Sequence, residues 1–277
     1  MTLASPPPAG APVASMPMYD PPEARWAVDA WWAGLARAFR AEGLDAPDTL
    51  VRPQPFWATW RDPALLFSQT CGYPLMFGFE RDLRPIATPC YAAEGCEGPL
   101  YRSAVVVRKD APYAAVADLQ GAVCAMNGWE SHSGMNALRA LVAPHARGGR
   151  FFARVEVSGG HRASMAMVGE GRADVAAIDA VTLALNRRHN PAVLEPLRIL
   201  CWTDPAPGLP LVTRAGADDA TVARLYAGIL SALADPALAP ARDALLITGI
   251  VPATLETYRP MVAFEERAKA LGYPVLA

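Results

Sequence analysis

Apolar positions along the chain recur with two periods, and the switch between them divides it. Val28, Trp32, Leu35 and Phe39 share one helical face while Arg25, Asp29, Arg37 and Arg40 fall elsewhere, which predicts a helix packed on a sheet and ended by Gly43. Residues 65–67 then read as a short strand followed by a turn over 68–74, and 85–91 and Ser103–Arg108 as two more strands. A glycine-rich loop, 94–101, separates those two. From residue 118 onward strand and helix patterns alternate. Strands are predicted at Val123–Met126, 155–157, 174–178 and 198–202, and helices after Gly134 (with Met135, Leu138, Leu141 and Val142 on one face), over 162–168 and over 180–188. Such alternation predicts a parallel sheet with right-handed crossovers. A Pro/Gly connection at 203–210, a strand at 211–213 and helical faces at Val222, Leu225, Ile229 and Leu233 and over 254–271 complete the chain. Because Pro-rich crossings flank the alternating segment, the expectation is an inserted lobe 2 (104–205) and a lobe 1 made of 16–103 plus 206–277.

The candidate chemistry collects where strands end. Between strand Val123–Met126 and its helix lies Asn127-Gly-Trp-Glu-Ser-His-Ser-Gly134. Ser131 and Ser133 there are helix-cap residues, and their hydroxyls and the free N–H groups of the first turn also suit an external anion. His161 follows the next strand and Asp179 the one after. In an open parallel sheet the carboxyl ends of the strands lie along one edge, so these residues are expected to converge there. Each has a plain structural role open to it, as a cap or a brace of its own turn. Tyr19, Tyr73 and Tyr101 also sit at strand or loop ends, where a tyrosine is more often a packing residue than a ligand donor.

Composition narrows the classes further. The chain has 277 residues, 52% hydrophobic and 19% charged, with a net charge of -2, which leaves no nucleic-acid footprint and enough length for one large or two medium domains. No apolar run reaches bilayer-spanning length. Residues 1–15, rich in Pro, Ala and Ser, are expected to be a disordered leader. The first 18 residues lack a basic n-region and an apolar h-region, so they do not read as a secretory signal; as written the protein is expected in the cytoplasm, unless its start has been trimmed. Of the five cysteines, Cys124 and Cys201 fall in apolar strands as core residues, while Cys71 and Cys96 lie in loops and are able to pair in an oxidising compartment. There is no C-x-x-C spacing, the four histidines are scattered, and no cofactor motif is present, so neither a metal nor a cofactor is expected.

The run from Ser131-His-Ser-Gly134 through Phe151-Phe152 and Val157-Ser-Gly-Gly-His-Arg-Ala163 to Gly169-Glu-Gly-Arg-Ala-Asp-Val-Ala-Ala-Ile-Asp179 resembles the substrate-binding proteins of ABC transporters for phosphate, phosphite and phosphonates. The resemblance extends from about residue 18 to the C-terminal helices. It implies an α/β, two-lobed type II periplasmic-binding-protein fold, each lobe a mostly parallel sheet flanked by helices, with the ligand cleft between the lobes. It further implies a periplasmic monomer that takes a small oxyanion and hands it to an ABC transporter permease. Carried over by position, Ser131, Ser133 and the N–H groups of Ser133 and Gly134 would hold oxyanion oxygens, with His161 and Tyr101 as further donors. Asp179 would face the ligand's substituent or a protonated oxygen, with His161 charging or discharging near neutral pH, and Tyr73 and Tyr19 complete the candidate set. His132 stands where the family often has a third small hydroxyl, and Leu209 where aminoalkylphosphonate binders have a second carboxylate, which argues against an aminoethyl ligand. Two other readings share the fold. One is an enzyme, a small-molecule lyase or thiamin-precursor synthase, with His161 and Asp179 as acid and base but no nucleophile paired with a base. The other is a cytoplasmic solute sensor.

Overall fold

The computed structural model describes residues 10–277. In chain order its strands are β1 (Val13–Ala14), β2 (Leu65–Gln69), β3 (Leu83–Tyr91), β4 (Cys96–Glu97), β5 (Leu100–Tyr101), β6 (Ser103–Arg108), β7 (Val123–Met126), β8 (Arg154–Val157), β9 (Val175–Asp179), β10 (Leu197–Trp202), β11 (Ala206–Pro207), β12 (Leu211–Arg214) and β13 (Ile247–Pro252). The α-helices are α1 (Arg25–Ala41), α2 (Gly72–Gly78), α3 (Ala137–Val142), α4 (His161–Gly169), α5 (Ala180–His189), α6 (Asp219–Ala234), α7 (Ala239–Ala244) and α8 (Pro260–Ala270). The chain forms two compact units. The first comprises residues up to Thr70, Gly78–Pro89 and Leu209–Leu255; the second comprises Cys71–Phe77, Cys90–Gly208 and Glu256–Ala277. Among the described residues no single helix is long and apolar enough to cross a membrane.

The first unit is built on a sheet of order β1-β2-β12-β3-β13, with β1 parallel to β2 and β12 antiparallel to both β2 and β3. The apolar stripe of α1 covers it as the spacing predicts: Val28, Trp32, Leu35 and Phe39 are all buried. Trp32 and Phe39 meet Phe67 of β2 at ring-centroid distances of 5.8 and 5.4 Å. Gly228 of α6 allows a close approach, since a Cβ there would lie 2.5 Å from the Phe39 ring. Part of the expected disordered leader is structured. The Val13 N–H donates to the Ala64 carbonyl at 2.9 Å, and Ser15 Oγ lies 2.8 Å from Ser68 Oγ and 3.0 Å from Thr59 Oγ1, because the short apolar pair Val13–Ala14 adds to the open edge of β2. Residues 1–9 lie outside the described part.

The second unit holds a sheet of order β10-β6-β9-β7-β8 and a small antiparallel sheet β11-β5-β4. β7 runs parallel to β8 and to β9, while β6 is antiparallel to β9 and to β10. The four strands of the alternating segment therefore all point the same way, as their spacing predicts. The sheet is nevertheless mixed, because β6 lies between β9 and β10 with the opposite direction, as β12 does between β2 and β3. That reversal matters for the site: with Ser103 paired to Asp179, the start of β6 lies at the edge where β7, β8 and β9 end.

The grouping also departs from the boundaries 16–103 plus 206–277 and 104–205. Residues 71–77, 90–103, 206–208 and 256–277 join the second unit, the last of these segments because Ala268, Tyr273 and Leu276 bury themselves in the same core as Leu138, Phe151 and Val175. The region over 68–74 is not a single turn either: β2 continues to Gln69, and α2 begins at Gly72.

Candidate functional site

β7 ends at Met126, and the chain turns through residues 127–130 to Ser131, whose extended backbone and side chain cap the next helix: Ser131 Oγ accepts the Gly134 N–H at 3.0 Å. The first turn, His132–Asn136, is a π-helix in which the Asn136 N–H reaches the Ser131 carbonyl at 3.1 Å, and it runs directly into α3. Single π turns of this kind concentrate at functional sites, because the extra residue redirects side chains without ending the helix. Every residue from Ser131 to Asn136 is buried. Gly134 has no alternative here: a Cβ on it would lie 1.8 Å from Asn127 Oδ1 and 3.4 Å from His161 Cε1.

His161 is the first residue of α4, following Gly160, and its Nε2 lies 2.8 Å from Ser133 Oγ. Ser131 Oγ and Ser133 Oγ are 3.5 Å apart. Asp179 ends β9 and caps α5, accepting the Thr182 N–H at 2.8 Å, and its charge also bears on Tyr101, Cys71 and Cys96. Tyr101, on β5, is buried; its hydroxyl approaches Ser133 without a hydrogen bond of ordinary geometry. The sequence-predicted residues Ser131, His132, Ser133, Gly134, His161, Tyr101 and Asp179 thus come together at one edge of the second unit's sheet.

The remaining candidates stand differently. Tyr73, on α2, is engaged with Glu265 of α8 through its hydroxyl, so its donor is already used. Tyr19 belongs to the first unit, where it is buried. The Gly134 N–H is likewise committed, to Ser131. No disulfide joins Cys71 and Cys96, and all five cysteines are in the thiol form; both sit within electrostatic reach of Tyr101. The backbone N–H of His132 is directed at the Cys71 sulfur, but burial still pushes that thiol up to about 11.

Electrostatically the cluster is a set of neutral donors beside one carboxylate. Burial, and then the nearby Arg139 cation, pushes His132 down to about 3. Burial pushes His161 down to about 4, against a smaller opposing contribution from the Ala177 carbonyl. His161 is therefore neutral throughout the physiological range, and the expected charge switch near neutral pH does not occur there. Burial raises the Tyr101 hydroxyl well above its ordinary value, so it remains protonated. Four buried polar atoms of this neighbourhood have no hydrogen-bond partner among the described residues: Tyr101 Oη, Asn127 Oδ1, His132 Nε2 and His161 Nδ1. Each buried polar atom left unpaired costs about 1–3 kcal/mol, so this concentration leaves hydrogen-bonding capacity that water or a polar guest would satisfy. Among the described residues, no three His, Cys, Asp or Glu side chains are grouped so as to hold a metal ion.

Three residues of the network are not among the candidates read from the sequence. Asn136 Nδ2 lies 3.1 Å from His132 Nδ1, Arg139 Nη2 donates to Asn136 Oδ1 at 2.6 Å, and Glu265 Oε2 accepts from Arg139 Nη2 at 3.2 Å. Asn136 and Arg139 lie four and seven residues after His132, a spacing that was available to read. Glu265 lies in a helix more than a hundred residues further on, which no local pattern connects.

Comparison with solved structures identifies the fold. The binding-protein component of an ABC phosphonate transporter from Pseudomonas aeruginosa aligns with a TM-score of 0.73 at 15% identity, covering 95% of this chain and 88% of its own. PhnD1 from Prochlorococcus marinus, in complex with methylphosphonate, aligns with a TM-score of 0.73 at 13% identity over 94% and 99% of the two chains. XAC2383 from Xanthomonas citri, bound to chloride ion, aligns with a TM-score of 0.71 at 19% identity over 95% and 99%. The fold is that of the two-lobed periplasmic binding proteins. No curated protein matches by sequence. Residues 67–258, well over half of the chain, match the family described as ABC transporter, phosphonate, periplasmic substrate-binding protein, and the chain belongs to that family.

Proposed function

We propose that the protein captures a small tetrahedral oxyanion, a phosphonate, phosphite or phosphate, on Ser131, Ser133, His161 and Tyr101, with Asp179 facing the one ligand oxygen or substituent that carries a proton. It delivers that ligand unchanged to an ABC permease and is not an enzyme. The observation that supports this reading is the concentration of buried, unpartnered polar atoms around the Ser131–Ser133 cap. Hydroxyl and imidazole donors suit ionised oxygens, whereas a carboxylate only accepts and so selects a ligand that retains an O–H or N–H. Methylphosphonate, the ligand in the complex of the Prochlorococcus protein, is one member of the class. Titration calorimetry with methylphosphonate, phosphite and inorganic phosphate tests the proposal, together with thermal shift. A ligand at a hundred times its Kd adds about 2.7 kcal/mol to stability, and phosphorus NMR should show it unaltered after prolonged incubation. Absence of heat and of any shift with all three at millimolar concentration would refute it.

A further inference from the structure

The tautomer of His132 is set by a chain of groups that leads away from the site. Glu265 is buried; burial alone would raise its carboxyl, but hydrogen bonds from Lys269, Tyr73 and Arg139 outweigh this and hold it down to about 2. It accepts from Arg139 Nη2, whose guanidinium is also fixed by the Pro274 carbonyl at 2.7 Å from Nη1. A guanidinium only donates, so the Asn136 atom at 2.6 Å from Nη2 must be the amide oxygen. The Asn136 amide nitrogen is thereby turned to His132 Nδ1 at 3.1 Å and to the Met261 carbonyl at 3.0 Å. An amide nitrogen also only donates, so Nδ1 is the acceptor and the ring proton sits on Nε2. The imidazole is held edge-on against Phe264, with centroids 4.9 Å apart, and 6.2 Å from the Tyr101 ring. His132 is 1% exposed, and its Nε2 is one of the buried atoms without a partner.

We propose that His132 is a specificity-determining ligand donor: its Nε2–H, fixed by the Asn136–Arg139–Glu265 chain, gives one neutral hydrogen bond to an oxygen of the bound oxyanion. Asn136 is then a positioning residue, since it acts only through the ring. This rests on the oxyanion reading and adds to it a side chain that presents a proton without adding a charge. The charged and titratable groups bearing on the ring are Arg139 on α3, Glu265 through Arg139 on α8, Tyr101 on β5 and Cys71 ahead of α2. Arg139 is the one cation among them and disfavours a second positive charge on the imidazole, so the donor stays neutral across the physiological range.

The test uses the full chain with methylphosphonate, phosphite and inorganic phosphate as probes. Calorimetry should give a roughly 10- to 100-fold weaker Kd for His132→Leu, the loss of one hydrogen bond to a charged acceptor. His132→Gln, whose amide nitrogen approximates Nε2, should stay within about tenfold of wild type. Circular dichroism melts check that both variants fold. Nitrogen-15 correlation spectra of the imidazole should show the Nε2–H tautomer from pH 5 to 8, with the Nε2 proton shifting on addition of the tightest probe. In Asn136→Asp the carboxylate can only accept a hydrogen bond and so favours a proton on Nδ1; the tautomer should reverse and affinity should become pH-dependent. Wild type binding a probe while His132→Leu binds it equally well overturns this inference and leaves the oxyanion reading standing. An Nδ1–H tautomer in the wild type, or titration near the ordinary histidine value, overturns it independently of any ligand. If wild type binds none of the probes, both readings fall.

Discussion

Acidification should weaken the second unit before its carboxylates titrate. His132 is 1% exposed, and burial, then Arg139, lowers it from 6.5 to about 3. Below pH 6.5 the unfolded chain takes up a proton that the folded ring refuses, so stability falls as the pH falls through that window. Worked at pH 5 against pH 8, the linkage relation gives a loss of about 2 kcal/mol for His132 alone. His161, lowered from 6.5 to about 4, acts in the same direction. The residue as a whole is only partly buried, so solvent screening reduces its share, and the two together give about 2–4 kcal/mol. Glu265 works in a separate window: its carboxyl is depressed from 4.5 to about 2, so the stability it contributes is complete above 4.5 and lost only below that. The interval between pH 6.5 and 4.5 therefore reports the histidines. Urea unfolding followed by circular dichroism and tryptophan fluorescence at pH 8, 6.5, 5.5 and 5.0 measures the effect in wild type and in His132→Gln, which cannot titrate. The variant should lose about 2 kcal/mol less than wild type between pH 8 and 5. Identical losses in the two proteins would refute the assignment of His132 as a buried neutral ring.

Two further outcomes are expected. Arg139→Met removes the partner of a buried carboxylate and the donor that orients Asn136, and should cost about 3 kcal/mol of urea stability; an unchanged midpoint would mean that the pair contributes nothing. Ellman titration should count five thiols in denatured protein kept under non-oxidising conditions, with Cys124 unreactive in the native state and Cys71 and Cys96, pushed up to about 11 and about 12, slow; three thiols would reveal a disulfide.

What the sequence made legible was what local periodicity encodes. β7 and β6 lie where the apolar runs put them, α1 buries the predicted face, and the rim residues Ser131, Ser133, His161 and Asp179 meet because the four strands of the alternating segment share one direction. Strand order is not a local property. The place of β6 between β9 and β10 rests on pairing with strands some seventy or more residues further along the chain, and no residue of Ser103–Arg108 announces it. β13 and the two-residue strands β4, β5 and β11 were also missed, the latter being too short to show a period. The residues that fix His132 escaped for another reason: an Asn, an Arg and a Glu on helices read as solvated polar faces until burial is known. Burial likewise overturned the expectation for His161, since an ordinary value near 6.5 holds only for a solvated ring.

Ser133 Oγ and His161 Nε2, 2.8 Å apart, are the nucleophile and base that the sequence did not pair, being 28 residues apart. The contact has the outline of a hydrolase dyad, and its electrostatics argue for binding instead. A general base works best with a value near the operating pH, whereas burial holds His161 at about 4, which weakens it as an acceptor of the serine proton. Nor does a carboxylate orient the far nitrogen; Nδ1 faces the Ala177 carbonyl without an ordinary hydrogen bond, so nothing compensates an imidazolium once formed. A neutral imidazole still has two tautomers, and they give Ser133 opposite roles. With the proton on Nε2, His161 donates to Ser133 Oγ, and the serine proton is free for an ionised ligand oxygen. With the proton on Nδ1, Ser133 donates to His161 and offers its lone pairs to a ligand O–H. The pair thus adapts to either protonation state of an oxyanion without creating charge in a buried site, which suits a carrier that must hold its ligand intact and release it unchanged.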